Sequence, residues 1–206
     1  MKKRGVVRII LACILLIVIA VEIYAIKENW MGKMLSQRDS GKKNEFFVIS
    51  RETAKNDTAE HSYEYVVSDA SWSQAQEEAQ KKGGYLVNIN SKEEFDRIIS
   101  GIEENGYDDI LFRIGGQRTD EDSLYYWIDA DHQQIGEALN TEGSWCKDLW
   151  ASGEPSFEYK DTPETCMDMY QSDGTWLWND VPDNMIEVVS DAYKGRLGYI
   201  IEFDGE

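Results

Sequence analysis

Histidine is nearly absent from this chain: His61 and His132 are the only two among 206 residues. Neither stands with a serine or cysteine in a recognisable nucleophile setting. No glycine-rich stretch has the form of a phosphate cradle, and no cysteines and histidines fall at zinc-ligand spacing. Carboxylates are numerous enough for glycoside hydrolysis, but nothing beyond their number points there, so no enzyme is expected. Basic residues are scarce beyond the N-terminus. Residues 44–206 hold twelve Lys and Arg against thirty-six Asp and Glu, within a whole-chain net charge of -18. Such a surface repels phosphate backbones and excludes nucleic acid as a partner. It suits cations such as calcium, or simple solubility. Cysteine is scarce too: Cys13, Cys146 and Cys166 are the whole set.

Aromatic residues are present in quantity, with seven Trp and eleven Tyr. Disordered chains are poor in aromatics, so a packed core is expected over most of the length. The one long apolar run lies at the start. "MKKRGVVRIILACILLIVIAVEIYAI" is uninterrupted from Ile9 to Val21. Val6 to Ile26, with Arg8 and Glu22 near the ends, reaches the roughly 20 residues that a spanning helix needs. We read residues 1–26 as an uncleaved transmembrane signal-anchor, with membrane contact through 6–26 and Cys13 inert within it. Cleavage would instead leave a secreted protein. Lysines and arginines flank the run on both sides in nearly equal number. The short N-terminal tail and signal-like start favour the larger part outside the cell membrane. Residues 27–60 are polar and charged without sustained periodicity and read as a stalk.

From His61 the pattern becomes regular. "YEYVV" (63–67) reads as a strand. Residues 71–84 read as a helix with Ser71 and Gln74 at capping-box spacing, Trp72, Ala75 and Ala79 on one face, and Gly83 as its stop. "YLVNI" (85–89) is a short strand. Residues 91–102 form a second helix with Ser91 and Glu94 at the same spacing and Phe95, Ile98, Ile99 and Ile102 buried. Short strand candidates follow at 110–116, 124–129, 167–170, 175–178 and 198–203, with a long weakly periodic segment at 130–165. This is an α+β pattern, and residues 61–206 read as one domain.

The order "SWSQAQEEAQKKGGYLVNINSKEEF", "FRIGG", "YYWID", "WASGEPS", "ETC", "WND", "GYIIEF" resembles the C-type lectin-like domain over roughly residues 61–204. The resemblance implies two helices flanking short antiparallel sheets, paired first and last strands, and a long loop region bearing the ligand site. It also implies two disulfides that this chain lacks in their usual form. Ala79 and Ile201 stand where one would join the first helix to the last strand, and Asp183 stands where the partner of Cys166 is expected. A Cys146–Cys166 bridge would close about 20 residues and stabilise by roughly 3 kcal/mol if unstrained; two free thiols are the alternative.

In lectins of this family the residues matching Glu154, Glu164, Asn179 and Asp180 hold one calcium ion and hydrogen-bond a sugar. Calcium takes six to eight oxygen ligands, so the carboxylates and amide carbonyl supplied here are of the right kind. Pro155 matches a proline that is cis in the calcium-loaded members. Ser156 occupies a position where the family carries Asn or Asp, and its hydroxyl is a poorer ligand; Glu158, Tyr159 and Asp161 lie near enough to substitute. Tyr159, Phe157 and Trp176 are candidates to stack on a sugar face, with core or turn packing the commoner role of such residues. Asp120, Glu121 and Asp122 sit where the family binds a further calcium, although a solvated acidic turn explains them as well. The same motifs also have metal-free explanations: Trp150, Trp178 and Pro155 as loop core, Asn179–Asp180 as a solvated turn, Glu164 as a surface charge. The functional expectation is an extracellular module that binds a glycan through a single calcium site. The rival is a calcium-independent module for recognition or adhesion to a cell-surface protein on the same fold.

Overall fold

The computed structural model describes residues 61–119 and 121–205, together with the backbone of the strand Val48–Thr53. All lie in the compact unit Asn44–Glu206. The apolar run at 6–26 and the segment 27–47 lie outside the described residues. Among the described residues, no helix is long and apolar enough to cross a membrane.

The first and last strands of the lectin-like pattern meet as the resemblance implies. β1 is Val48–Thr53, within the segment read as a stalk, and it pairs antiparallel with β2, Ser62–Val67. On its other edge β2 pairs antiparallel with the C-terminal strand, Tyr65 facing Ile200. Alternation along β2 buries Tyr63 and Tyr65 on one face.

Helix α1 (Trp72–Lys81) starts at a complete capping box. The Ser71 hydroxyl accepts from Gln74 N–H, and the Gln74 side chain accepts from Ser71 N–H. Trp72, Ala75 and Ala79 are buried on one face, as the periodicity predicts. β3 is only Tyr85–Leu86, although the next residue stays bonded to the sheet, Val87 N–H donating to the Ile200 carbonyl and the Val87 carbonyl accepting from Gly115 N–H, with Val87 and Ile89 buried. Helix α2 (Lys92–Glu104) starts at Ser91, whose hydroxyl accepts from Glu94 N–H. Its box is incomplete. The Glu94 carboxylate is buried and accepts instead from Tyr63 O–H at 2.5 Å and Asn90 N–H at 2.7 Å.

The rest of the sheet is built on β4 (Leu111–Gln117) and β11 (Leu197–Phe203). β11 carries β2 and β3, and runs parallel to β4 over Leu197–Tyr199; the sheet is therefore mixed, not wholly antiparallel. β4 carries β5 (Tyr126–Ile128) beyond β11 on the same edge and β9 (Cys166–Ser172) on the opposite edge. β10 (Thr175–Val181) pairs along all of β9. The expected strands at 124–129, 167–170 and 175–178 are thus present with shifted ends.

The segment 130–165 is not structureless. It holds β6 (Gln134–Ile135) paired with β5, a 3-10 turn at Lys147–Leu149, and a two-residue hairpin of β7 (Glu158–Tyr159) with β8 (Thr162–Pro163). After β10 come a one-turn helix α3 (Met185–Val188) and a 3-10 turn at Asp191–Tyr193.

The long loop is anchored by tryptophans. Trp178 is fully buried and meets Phe95, Trp127, Trp145 and Trp150 edge-on at 5.5–6.4 Å between ring centroids. Such pairs add about 0.5–1.5 kcal/mol each beyond area burial. A buried ion pair lies under the same sheet: Arg113 Nη1 donates to both oxygens of Asp168 at 2.9 and 3.0 Å.

The Cys146–Cys166 bridge is not formed. Both thiols are free and buried, because each has its own setting. Cys146 lies within the long loop, its Sγ donating to the Leu139 carbonyl and meeting the Ser144 hydroxyl. Cys166 begins β9 in the sheet interior, opposite Val181 on β10. Asp183, where the family would place a second cysteine, has a different task. Its carbonyl accepts from Trp72 N–H and its carboxylate from Ser73 N–H at 2.7 Å, so it ties the end of the sheet to the start of α1.

Candidate functional site

The site is assembled where the long loop crosses the end of β10. Trp150 forms a parallel bridge with Trp178, and Ala151 N–H donates to the Trp178 carbonyl at 2.9 Å. This pins the loop to β10 just ahead of Gly153–Glu154. The Glu154–Pro155 peptide is cis. Phe157 follows at a φ of 67°, a left-handed backbone that costs a non-glycine residue about 1–2 kcal/mol. That conformation is held by Asp180. Its Oδ1 accepts from Ser156 N–H at 3.0 Å, and its Oδ2 accepts from Phe157 N–H at 2.7 Å and Tyr125 O–H at 3.0 Å. Asp180 is fully buried in β10 and Glu164 is 3% exposed just before β9, so neither the solvated-turn nor the surface-charge reading describes them.

Glu154, Glu164 and Asp180 offer carboxylate oxygens that all lie within 4.8 Å of one another. At an effective dielectric constant of about 20, two unit charges near 5 Å repel by roughly 3 kcal/mol. A fold that keeps three such groups together at the base of a loop holds a concentration of negative charge there. The Ser156 hydroxyl donates to Glu164 Oε2 at 2.8 Å, so serine links two members of the group directly. The Tyr125 hydroxyl also donates to the Glu164 carbonyl at 2.5 Å. Burial, with the Asp180 charge second, pushes that phenol far above its ordinary range, which keeps it a donor at all working pH. Burial and the charge of Glu154 push Tyr170 up to about 12.

Arg118 was not foreseen from sequence, and it closes the underside of the site. Its guanidinium donates to four backbone carbonyls: Glu164 at 2.9 Å, Phe157 at 2.6 Å, Thr119 at 2.9 Å and Asp122 at 2.9 Å. The group lies beside the stacked rings of Tyr125 and Phe157, at 5.9 and 5.4 Å from their centroids. The planar fork of arginine suits this multidentate role. The sole signal in the sequence was a basic residue directly before an acidic turn, which by itself reads as surface charge.

These features agree with a family model. The lectin C-type domain model matches residues 68–186, more than half of the chain. The chain belongs to that family. Membership makes this C-type lectin domain a non-catalytic module. Among curated proteins it is similar to C-type lectin domain family 4 member A of Rattus norvegicus, 31% identical over 115 residues, which are 56% of this chain and 40% of that protein. The chain therefore aligns with less than half the length of that relative. Human lithostathine has the same fold, with a TM-score of 0.51 at 18% identity, over 82% of this chain and all of that one. The C-type lectin domain of murine dendritic cell inhibitory receptor 2, solved in complex with N-glycan, gives a TM-score of 0.48 at 22% identity over 72% of this chain and 94% of its own.

Within this C-type lectin domain, the predicted site residues divide. Glu154, Ser156, Glu164 and Asp180 are brought together. Asn179 stands beside Asp180 on β10, half-buried, and its side-chain amide makes no hydrogen bond among the described residues. Trp176 is not a stacking surface: it is 5% exposed and packs in the core, because it shares the inward face of β10 with Trp178. Tyr159 is half-buried on β7, with Lys160 Nζ 4.8 Å from its ring centroid. Phe157 turns inward and stacks on Tyr125. Glu158 and Asp161 are exposed outside the carboxylate group. Asp120 lies outside the described residues. Asp122 folds its carboxylate back onto Leu124 N–H, and Glu121 is exposed; neither joins a metal-type cluster among the described residues.

Proposed function

We propose that this domain recognises a glycan at the Glu154–Glu164–Asp180 site with the help of one calcium ion, on the outer side of a membrane to which residues 6–26 anchor it through the chain that precedes β1, the stalk being shorter than the 27–60 expected because Val48–Thr53 joins the sheet. The observation that carries the reading is the gathering of three carboxylates from three separate segments within 4.8 Å. The donor set fits a hard cation, since every available ligand atom is oxygen. Glu154, Glu164 and Asp180 would hold the ion, with Ser156 and the amide of Asn179 as neutral donors. Bound calcium would supply coordination positions for sugar hydroxyls. The chain's own part is to accept hydrogen bonds from those hydroxyls on Glu154 and Glu164 and to donate from Asn179. Asp180, bonded to two loop N–H groups, keeps the loop in place while this happens. Tyr159, half-buried on β7, would pack on the sugar's apolar face.

One observation favours calcium-independent protein recognition instead. Ser156 already bonds Glu164, and Asp180 already receives three donors, so the loop is tied down by the chain's own groups. Binding of the purified full chain to immobilised glycans, with calcium and then with excess chelator, separates the two. Glycan binding that is lost with chelator and in Glu164→Gln supports the first reading. Retention of a protein ligand under chelation, with no glycan bound in either condition, supports the second.

A further inference from the structure

A second group of ligand-type side chains lies on the far side of the domain, where its chain begins and ends. His61, Glu202 and Asp204 offer donor atoms that all lie within 4.8 Å of one another. The register of the β2–β11 ladder explains why. Tyr63 faces Glu202 and Ser62 faces Phe203, so one further step sets His61 opposite Asp204. With a period of two, His61 and Tyr63 on one strand share a face with Glu202 and Asp204 on the other. Tyr85, opposite Glu202 on β3, joins the same face.

The details resemble a prepared ligand set. Asn88 N–H donates to Glu202 Oε2 at 2.9 Å, leaving Oε1 turned toward His61. Tyr85 O–H donates to Asp204 Oδ1 at 2.8 Å. His61 Nδ1 approaches Glu202 Oε1 at 2.7 Å and Asp204 Oδ1 at 3.5 Å. Yet it has no aligned hydrogen bond in this setting. The nearby Glu94 carboxylate is committed to Tyr63 O–H and Asn90 N–H, so the available set is one imidazole nitrogen and two carboxylates. Imidazole selects borderline transition metals over calcium and magnesium, and zinc commonly takes three protein ligands and a water. Donors from Asn88 and Tyr85 to the two carboxylates are the kind of outer partners that orient ligands in such sites.

We propose that His61, Glu202 and Asp204 bind a divalent transition metal of the zinc type, which clips the first strand of the lectin domain to the last. Ile201, directly before Glu202 on β11, stands where the family resemblance places half of a disulfide that this chain lacks. The metal would tie together the same end of the fold. Zinc spacing was invisible in the sequence because the ligands come from opposite ends of the domain.

The test is zinc titration of the purified full chain by calorimetry, with cobalt(II) in place of zinc as a spectroscopic probe. One equivalent should bind, and cobalt should give the intense visible absorption of low-coordinate N/O ligation. His61→Gln and Asp204→Asn should each weaken binding at least about tenfold, since even outer partners of metal ligands cost that much. Glu164→Gln, in the loop site, should leave zinc binding unchanged. Asp204 is 71% exposed, so Asp204→Asn is expected to fold even if His61→Gln does not, and metal-free melting of both variants checks this. Absence of stoichiometric zinc binding, leaving an ordinary His61–Glu202 ion pair, overturns the proposal. So does zinc affinity that survives in both variants, or that is lost in Glu164→Gln alone.

Discussion

Arg118 shows how much of the loop hangs on one side chain. Its removal takes a charged donor from each of four carbonyls, two of them in the segments that carry Ser156 and Glu164, although the Glu164, Phe157 and Thr119 carbonyls each keep a second donor. A charge-assisted bond is worth about 1.5–3 kcal/mol, so Arg118→Met is expected to lower stability by on the order of 3 kcal/mol in urea denaturation. It should also abolish ligand binding, although Arg118 is not itself among the proposed ligands. A variant that melts like the wild type would show the loop to be held by Asp180 and Tyr125 alone. The two thiols make a second residue-scale case. Burial pushes Cys166 up to about 12 and raises Cys146 as well. For Cys166 the folded value lies above the unfolded one near 9, so the native state holds that proton more tightly. Its contribution to stability is complete below pH 9 and is lost as pH rises toward 12. In a Cys13→Ala chain, neither thiol should react with a disulfide reagent at pH 8 until denaturant is added, and reduction should leave the mass unchanged. Rapid labelling of the native protein, or a mass gain of two hydrogens on reduction, contradicts the buried free thiols.

At the scale of elements, α1 is held from both sides of its first turn. Ser71 and Gln74 complete the box within the helix, while Asp183, from the chain after β10, accepts from Trp72 and Ser73. The lectin family resemblance places a cysteine at 183; this chain uses the position to dock sheet to helix. Loss of a capping side chain costs about 1 kcal/mol. Asp183→Ala and Ser71→Ala are each expected to lower the denaturation free energy by about that amount. The double variant should lose more than the sum if the two caps cooperate, since residues in one hydrogen-bond network couple. Equality of the double variant with either single one would show that only one cap forms.

For the whole molecule, an ion that binds only the folded state raises stability by about 2.7 kcal/mol at a hundredfold excess over its Kd. For a domain of this size that is roughly a 5–10 °C rise in Tm. Addition of millimolar calcium to the full chain is expected to raise Tm on this scale, chelator to reverse it, and Glu164→Gln to remove it. A Tm unmoved by calcium would assign the loop to metal-free recognition. The helices were legible in the residues, because amphipathic period and capping act over a few positions, whereas the paired end strands and the carboxylates worth watching followed from the lectin resemblance that the order of motifs carries. The limits of the reading also have physical causes. For Trp176 the sequence left ligand stacking and core packing both open, since which face of β10 turns inward is decided by the register with β9 and the tryptophans packed against it. Glu94 was read as half of a capping box, and Tyr63 on a distant strand drew its carboxylate away.

The sequence by itself determined the class of this protein. Its periodicities, its caps and the order of its motifs dictate two helices and a set of short strands. The family that this order of motifs announces is one of binding modules rather than catalysts. Only the tertiary structure decided which of those carboxylates meet. Glu154, Glu164 and Asp180 converge because Trp150 is bridged to Trp178 and Arg118 draws two loop segments together; His61 reaches Glu202 and Asp204 because two strand registers agree. Local patterns are set by forces acting over three or four residues. The meeting of side chains from distant segments depends on loop closure and packing, which no short stretch of chain contains.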